Sequence, residues 1–173
     1  MINAATRELL SDVGFVDLTI EAVARRAGVG KPTIYRRHAS KAALVAAALM
    51  EVLEGTNPEV PDTGDVRLDA RQLLANLARA VNTEFGTAVR EILSPAARDL
   101  ELQSLFDAAV TERRTIIRTV MRRAEDERRL LAADVETAID LALGAIYFRY
   151  LFTAETLDDQ FVGRVVDSVI APN

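Results

Sequence analysis

The chain has no cysteine, no tryptophan and a single histidine among its 173 residues. Without cysteine there are no disulfides, no thiolate metal sites and no thiol nucleophile, which fits a reducing compartment. A metal site built on His38 would lack imidazole or thiolate partners, so no metal is expected. Long apolar runs are missing too. The longest, Ala42–Met50 and Leu141–Phe148, fall far short of the roughly 20 residues that cross a bilayer as a helix. The opening stretch MINAATRELLSDVG lacks a basic leader followed by an apolar core. A soluble, cytoplasmic protein without a membrane partner is expected. Period-two alternation and hairpin turn signals are absent as well, which excludes a β-rich fold.

What remains is helix-forming and apolar. Half the residues are hydrophobic, enough to bury a core and to exclude a disordered chain. The net charge of −5 conceals an asymmetry: residues 1–50 carry seven Lys or Arg against four acids, and the rest carry 14 against 22. A basic head on an acidic body matches a nucleic-acid-binding module joined to a part with another duty.

Turn residues punctuate the chain. Asn3–Val13 reads as a helix ended by Gly14. Thr19 is placed to cap a helix over Ile20–Ala27, with Glu21 in its first turn, and Gly28 breaks it. Lys31–Arg37 follows with Pro32 in its first turn, and Ser40 caps a helix from Lys41 to about Glu54. Gly55–Asp65 is dense in breakers and acids and reads as a linker. Beyond it, Leu73, Leu74, Leu77, Val81 and Phe85 mark one helical face, and Val89, Ile92 and Leu93 a short segment stopped near Pro95. A long helix starts at about Glu101. Asp134 caps a helix through Phe152, and Thr156–Asp159 resembles a capping box for a last one. The reading is an all-α fold of about nine helices. Residues 1–54 form a DNA-binding head with a connecting helix, 55–66 the linker, and 67–173 a helical body.

The stretch GVGKPTIYRRH, residues 28–38, has the ingredients of a phosphate loop. A P-loop, however, needs glycine five residues before its Gly-Lys pair and Ser or Thr directly after the lysine. Arg25 and Pro32 stand there, and a helix rather than a strand precedes. A helix-turn-helix fits better. Ala24 is small where two steeply crossing helices touch, and Gly28 tolerates positive φ at the turn. Val23, Ala27, Val29 and Ile34 can pin both helices to a support, while Lys31, Thr33, Arg36 and Arg37 leave a polar, basic outer face.

The segment LTIEAVARRAGVGKPTIYRRHASKAALV resembles the N-terminal domain of the TetR/AcrR family of bacterial transcriptional regulators. The likeness is strong over residues 3–50. AARDLELQSLFDAAVTERR and AIDLALGAIYFRYLFTAETLDDQFVGRVVDSV are more weakly similar to the family's ligand-binding half. The resemblance implies that Lys31, Thr33 and Tyr35 face the major groove or its flanking phosphates, reinforced by Arg36 and Arg37. It also implies backbone contacts from Lys41 and from the Thr19 region. Lys31 suits guanine O6/N7 and Thr33 a thymine methyl. For Tyr35 the alternative is a ring packed on the supporting helices, and for Arg36 and Arg37 a solvated face. His38 stands where the family has an aromatic or apolar residue and is expected to fill part of that pocket. The family normally has a basic arm and an extra helical turn before the position of Asn3, where Met1 arrives almost at once: either the arm is missing, which weakens affinity, or the start is truncated.

No catalytic constellation is evident, and neither enzymatic activity nor a cofactor is expected: Asp158-Asp159 and Glu125-Asp126-Glu127 read as caps or solvated ends. Ala138–Phe152 is apolar around most of its circumference and needs cover on every side. A homodimer is therefore expected, its interface formed by Leu143, Gly144, Leu151, Phe161, Val162, Val165, Val166 and Val169. A ligand cavity is expected among Leu77, Phe85, Leu93, Phe106, Met121, Tyr147 and Tyr150, with plain core as the alternative. Arg118 or Arg149, if turned inward, would suit an anionic ligand. The functional expectation is a homodimeric repressor on a roughly palindromic duplex, released by a small-molecule effector. An architectural or adaptor protein without an effector is the other reading.

Overall fold

The computed structural model describes residues 1–56, 59–153 and 155–172; Asn57 and Pro58 of the expected linker and Asn173 lie outside them. Among these residues the chain is all-α, with nine helices. They are α1 (Ile2–Asp17), α2 (Ile20–Ala27), α3 (Lys31–Tyr35), α4 (Lys41–Thr56), α5 (Val66–Val81), α6 (Glu84–Ala96), α7 (Leu100–Asp126), α8 (Val135–Phe152) and α9 (Asp159–Val169).

Two compact units emerge, and neither is one stretch of chain. The first joins Met1–Gly55 to Val81–Val110, and the second joins Thr56–Ala80 to Thr111–Asn173. Within the first, α1 packs on α2 and α6, and α2 packs on α3. α1 runs on through Gly14, which adopts φ 73 and ψ 171 and kinks the helix instead of ending it. Leu10, Leu18, Val23, Ile34, Leu44 and Val45 are buried almost completely and form the core beneath the head. Arg26 of α2 pairs with Glu8 at 3.0 Å and Asp12 at 3.4 Å on α1. Arg7 of α1 reaches Glu51 and the Ala48 carbonyl on α4, both at 2.9 Å.

The face expected to continue from Leu73 to Phe85 belongs to two helices. α5 ends at Val81, and the Thr83 hydroxyl accepts the Phe85 N–H at 3.3 Å to start α6. The backbone of Thr83 is extended, at φ −107 and ψ −175, which breaks the ladder, and its hydroxyl takes one of the first-turn amides that the break leaves without a partner.

In the second unit the end of the linker is tied down. Asp69, fully buried, accepts from the Thr63 hydroxyl at 2.7 Å and the Thr63 N–H at 3.1 Å. Its other oxygen lies 3.1 Å from Arg123 of α7, which also donates to Asp62 and the Pro61 carbonyl at 2.5 Å each. The α8 and α9 helices pack together, opened by the Asp134 and Asp158 side chains, each accepting an N–H at 2.7 Å.

Candidate nucleic-acid interface

The α2–α3 motif follows from local chemistry. The Thr19 hydroxyl accepts the Ala22 N–H at 3.1 Å and opens α2. Gly28 closes it at φ 67, ψ 32, its N–H returning to the Ala24 and Arg25 carbonyls. No Cβ-bearing residue other than Asn or Asp takes that left-handed geometry readily. Gly30 is the N-cap of α3 and Pro32 lies in its first turn, where the missing N–H costs nothing.

The motif is anchored from one side. Val23 and Ile34 are fully buried, and Ala24 and Ala27 nearly so. The opposite side carries Lys31, Tyr35, Arg36 and Arg37, all exposed, with Thr33 half-buried. Tyr35 is 53 % exposed, so its ring does not pack into the supporting helices. α3 is shorter than the Lys31–Arg37 expected: Arg36 is its C-cap, and the Arg37 and His38 N–H groups both return to the Ile34 carbonyl at 2.9 Å. His38 is half-buried, and burial together with the Arg37 charge lowers its pKa. It therefore adds no fourth cation to Lys31, Arg36 and Arg37 at neutral pH.

Two expected DNA-backbone groups hold their own chain. Thr19 is occupied as the α2 cap. Lys41 donates to the Phe15 and Val16 carbonyls at 2.7 and 3.1 Å, and its ammonium sits 4.5 Å from the centre of the Phe15 ring. It thus caps the C-terminal carbonyls of α1, a role that sequence spacing did not reveal. Lys31 is likewise engaged, in an ion pair with Glu21 on α2.

With an anchored motif, a left-handed glycine turn and an exposed basic face in place, the relatives decide the identity. Residues 2–48 match the model of bacterial regulatory proteins of the tetR family, and residues 60–169 match the tetracyclin repressor-like C-terminal domain. The chain belongs to the TetR family of transcriptional regulators. It is 31 % identical to the HTH-type transcriptional regulator Rv1556 of Mycobacterium tuberculosis over 98 % of this chain and 84 % of that protein. Identity to the DNA-binding transcriptional repressor TetR of Mycobacteroides abscessus is 30 %, over 98 % and 90 %. Among solved structures, the TetR family transcription regulator SCO0332 aligns with a TM-score of 0.70 at 31 % identity, covering 99 % of this chain and 97 % of that one. As a TetR-family member the chain is a DNA-binding transcriptional regulator, and the α2–α3 face is its helix-turn-helix. No helix among the described residues is long and apolar enough to cross a membrane.

The TetR-like body departs from expectation in two places. Leu143, Val162, Val165, Val166 and Val169, expected at a dimer interface, are buried in the second unit's own core. α9 itself covers one side of α8, so these valines face inward. Gly144 is exposed, and Leu151 and Phe161 are half-buried, the Phe161 ring lying 3.8 Å beneath the Arg149 guanidinium. The apolar groups left outside on α8 are Leu141, Phe148 and Phe152, the last 75 % exposed, with the two rings 5.6 Å apart.

The seven residues expected around a ligand fall in different units. Phe85, Leu93 and Phe106 belong to the first unit and Leu77, Met121, Tyr147 and Tyr150 to the second. Phe85 and Phe106 line an apolar cavity of about 40 Å³ between α4, α6 and α7, with Leu49, Met50, Val89 and Ile92 among the other walls. Leu77, Met121 and Tyr150 are buried and Tyr147 is half-buried. Arg118 and Arg149 do not turn inward: they pair with Glu136 at 2.6 Å and Glu155 at 2.6 Å. The buried arginine of α7 is Arg113, only 6 % exposed. Burial lowers its pKa, against the Tyr147 phenol, whose own pKa burial raises. Nothing in the helical spacing singled it out.

Proposed function

We propose that the protein is a homodimeric repressor that grips a roughly palindromic operator with two α2–α3 faces and lets go when a small molecule binds its body. The observation that carries the DNA half is the division of α3: Ile34 is fully buried while Lys31, Tyr35, Arg36 and Arg37 stay exposed. A short helix anchored by one apolar side chain and presenting cations outward suits insertion into a major groove. Lys31 and Thr33 are assigned to base edges, and Arg36, Arg37 and the Tyr35 hydroxyl to phosphates.

Dimerisation is supported by the Leu141–Phe148–Phe152 stripe on α8, where the exposed Gly144 permits close approach of a second helix. A two-fold axis through such a stripe buries it against its own copy and pairs the reading heads. The repressor role is supported by the 30 % identity to the M. abscessus DNA-binding transcriptional repressor. Release by a ligand is supported by FadR of Bacillus subtilis, a transcriptional regulator of the same fold, solved with stearoyl-CoA. A ligand would act only through tighter binding to the conformation with lower operator affinity.

Selection of duplexes from a random pool, followed by competition with candidate metabolites, tests both halves. Enrichment of an inverted repeat supports the dimeric reader, and loss of binding with one metabolite supports an effector. Enrichment of an unpaired single site contradicts the two-headed arrangement, and binding blind to every metabolite favours an architectural role.

A further inference from the structure

Glu21 belongs to none of the roles assigned above, yet it is the residue against which Lys31 rests. The pair joins the first turn of α2 to the first residue of α3, and each side chain is about half exposed: 51 % for Glu21 and 50 % for Lys31. The same contact, with a backbone hydrogen bond, lowers the Glu21 pKa, so the carboxylate stays charged. An anion on a face that must approach phosphates is a cost with every duplex, because it opposes the counterion-release term that drives non-specific binding. The N-terminal end of α2 favours an acid in its first turn, but any acid there would serve, and a small cap effect does not require that it meet Lys31. Base chemistry does.

We infer that Glu21 and Lys31 together read one G·C base pair in each half-site. In the major groove guanine offers two acceptors, N7 and O6, and its partner cytosine offers the N4 amino donor beside them. An ammonium next to a carboxylate is the complement of that edge: Lys31 donates to O6 and N7, and Glu21 accepts from N4. The ion pair holds the donor and acceptor side by side before binding, so less side-chain freedom is lost when the base pair is met. An A·T pair places an amino donor opposite the ammonium, and a reversed C·G pair swaps donor and acceptor sides. Both leave the couple mismatched. Glu21 thereby acts as a specificity-determining residue in two ways. It adds a hydrogen bond on the right base pair, and it neutralises a lysine that would otherwise fasten to phosphate on any sequence.

The inference rests on the DNA-reading role of α3, and the test separates the two. Sequences are selected from a random pool with the wild-type chain, and the preferred duplex and its single-base-pair variants are titrated with wild type, Glu21→Ala and Glu21→Gln. Thermal melts confirm that each variant is folded. For wild type, one G·C pair per half-site is required, with a loss of roughly tenfold to a hundredfold when it is replaced. In Glu21→Ala that penalty shrinks towards unity at this position alone, while affinity for random duplex rises and its salt dependence steepens. Glu21→Gln keeps an acceptor for N4 but no charge, so it preserves the preference for G·C and raises random-duplex affinity. A Glu21→Ala variant that penalises the same substitutions as wild type overturns the inference, and so does one that shifts all duplexes by one common factor. A wild-type chain that selects no sequence sinks the DNA-reading role along with it.

Discussion

The carboxylate of Glu91 on α6 occupies the space into which a side chain at Gly14 of α1 would grow. A Cβ built on Gly14 comes within 2.8 Å of a Glu91 oxygen, and the backbone there sits at φ 73, ψ 171. Two obstacles therefore oppose substitution, and they differ in weight. The Glu91 side chain is long and can swing away, whereas the backbone geometry is one that only glycine adopts without strain of about 1–3 kcal/mol. Gly14→Ala is expected to lower stability by about 2 kcal/mol, and adding Glu91→Ala is expected to restore little of it. Chemical denaturation of both variants checks this; near-complete recovery in the double variant would show that the contact, not the kink, dominates.

Asp69 is the knot that ties the linker to α5 and α7. Its carboxylate is fully buried, held by Thr63 and by Arg123. Asp69→Ala removes the buried one of the two carboxylates that Arg123 faces, leaving it Asp62 alone, and frees the Thr63 groups, at an expected cost of about 3 kcal/mol. Thr63→Ala leaves the ion pair in place and should cost about 1 kcal/mol. Comparable losses from the two substitutions, measured by urea unfolding, would contradict the assignment.

Glu136 near the start of α8 is held by Arg118 first and Arg114 second, which pulls its pKa from 4.5 to about 2. Because the folded value is depressed, the ion pairs add stability that is fully present above pH 4.5 and lost as the pH falls through about 2. The stability gap between wild type and Glu136→Gln should therefore be constant near neutrality and close between these two values. A gap that persists unchanged below pH 2 would contradict the pairing.

Much of this architecture was readable from local chemistry. Thr19, Gly28 and Asp134 announce their helix ends because a side-chain oxygen or a left-handed glycine acts within three or four residues, whereas the box expected at Thr156–Asp159 begins two residues early, Asp158 being the cap of α9. α2 accordingly has the expected bounds, Ile20–Ala27. Gly14 was read as a stop and is a kink, since the Leu18 N–H still returns to the Gly14 carbonyl at 3.2 Å. Whether a glycine ends or bends a helix depends on what packs beyond it, here α6. The basic face of α3 was legible for the same local reason. Three things were not: the Glu21–Lys31 pair, the Lys41 cap on α1 and the burial of Arg113. Each depends on which helices meet in space, and no periodicity within one helix encodes that. The inward valines of α9 were misread because an all-round apolar α8 can be covered by its own neighbour as well as by a second chain.

The exposed α8 stripe should govern assembly. Replacing Phe148 and Phe152 with Ser removes two exposed rings without opening the core, since they are 62 % and 75 % exposed. The variant is expected to sediment as a folded monomer whose melting no longer depends on protein concentration. In contrast, Val165→Ser should reduce stability, because that side chain is 5 % exposed and the hydroxyl would be buried. A Phe148→Ser/Phe152→Ser variant that remains dimeric would move the interface elsewhere.

The central claim is that the exposed side of α3 reads DNA. Its most direct measurement is the affinity of wild type, Lys31→Ala and Arg36→Ala/Arg37→Ala for the selected duplex and for a scrambled one of equal length, across a salt series. Loss of Lys31 is expected to bring the two affinities together. Loss of both arginines should weaken both duplexes alike and reduce the slope against log salt by about 0.9 for each phosphate contact removed. Unchanged discrimination in Lys31→Ala, together with an unchanged slope in the double variant, would contradict the claim and place the DNA contact on another surface.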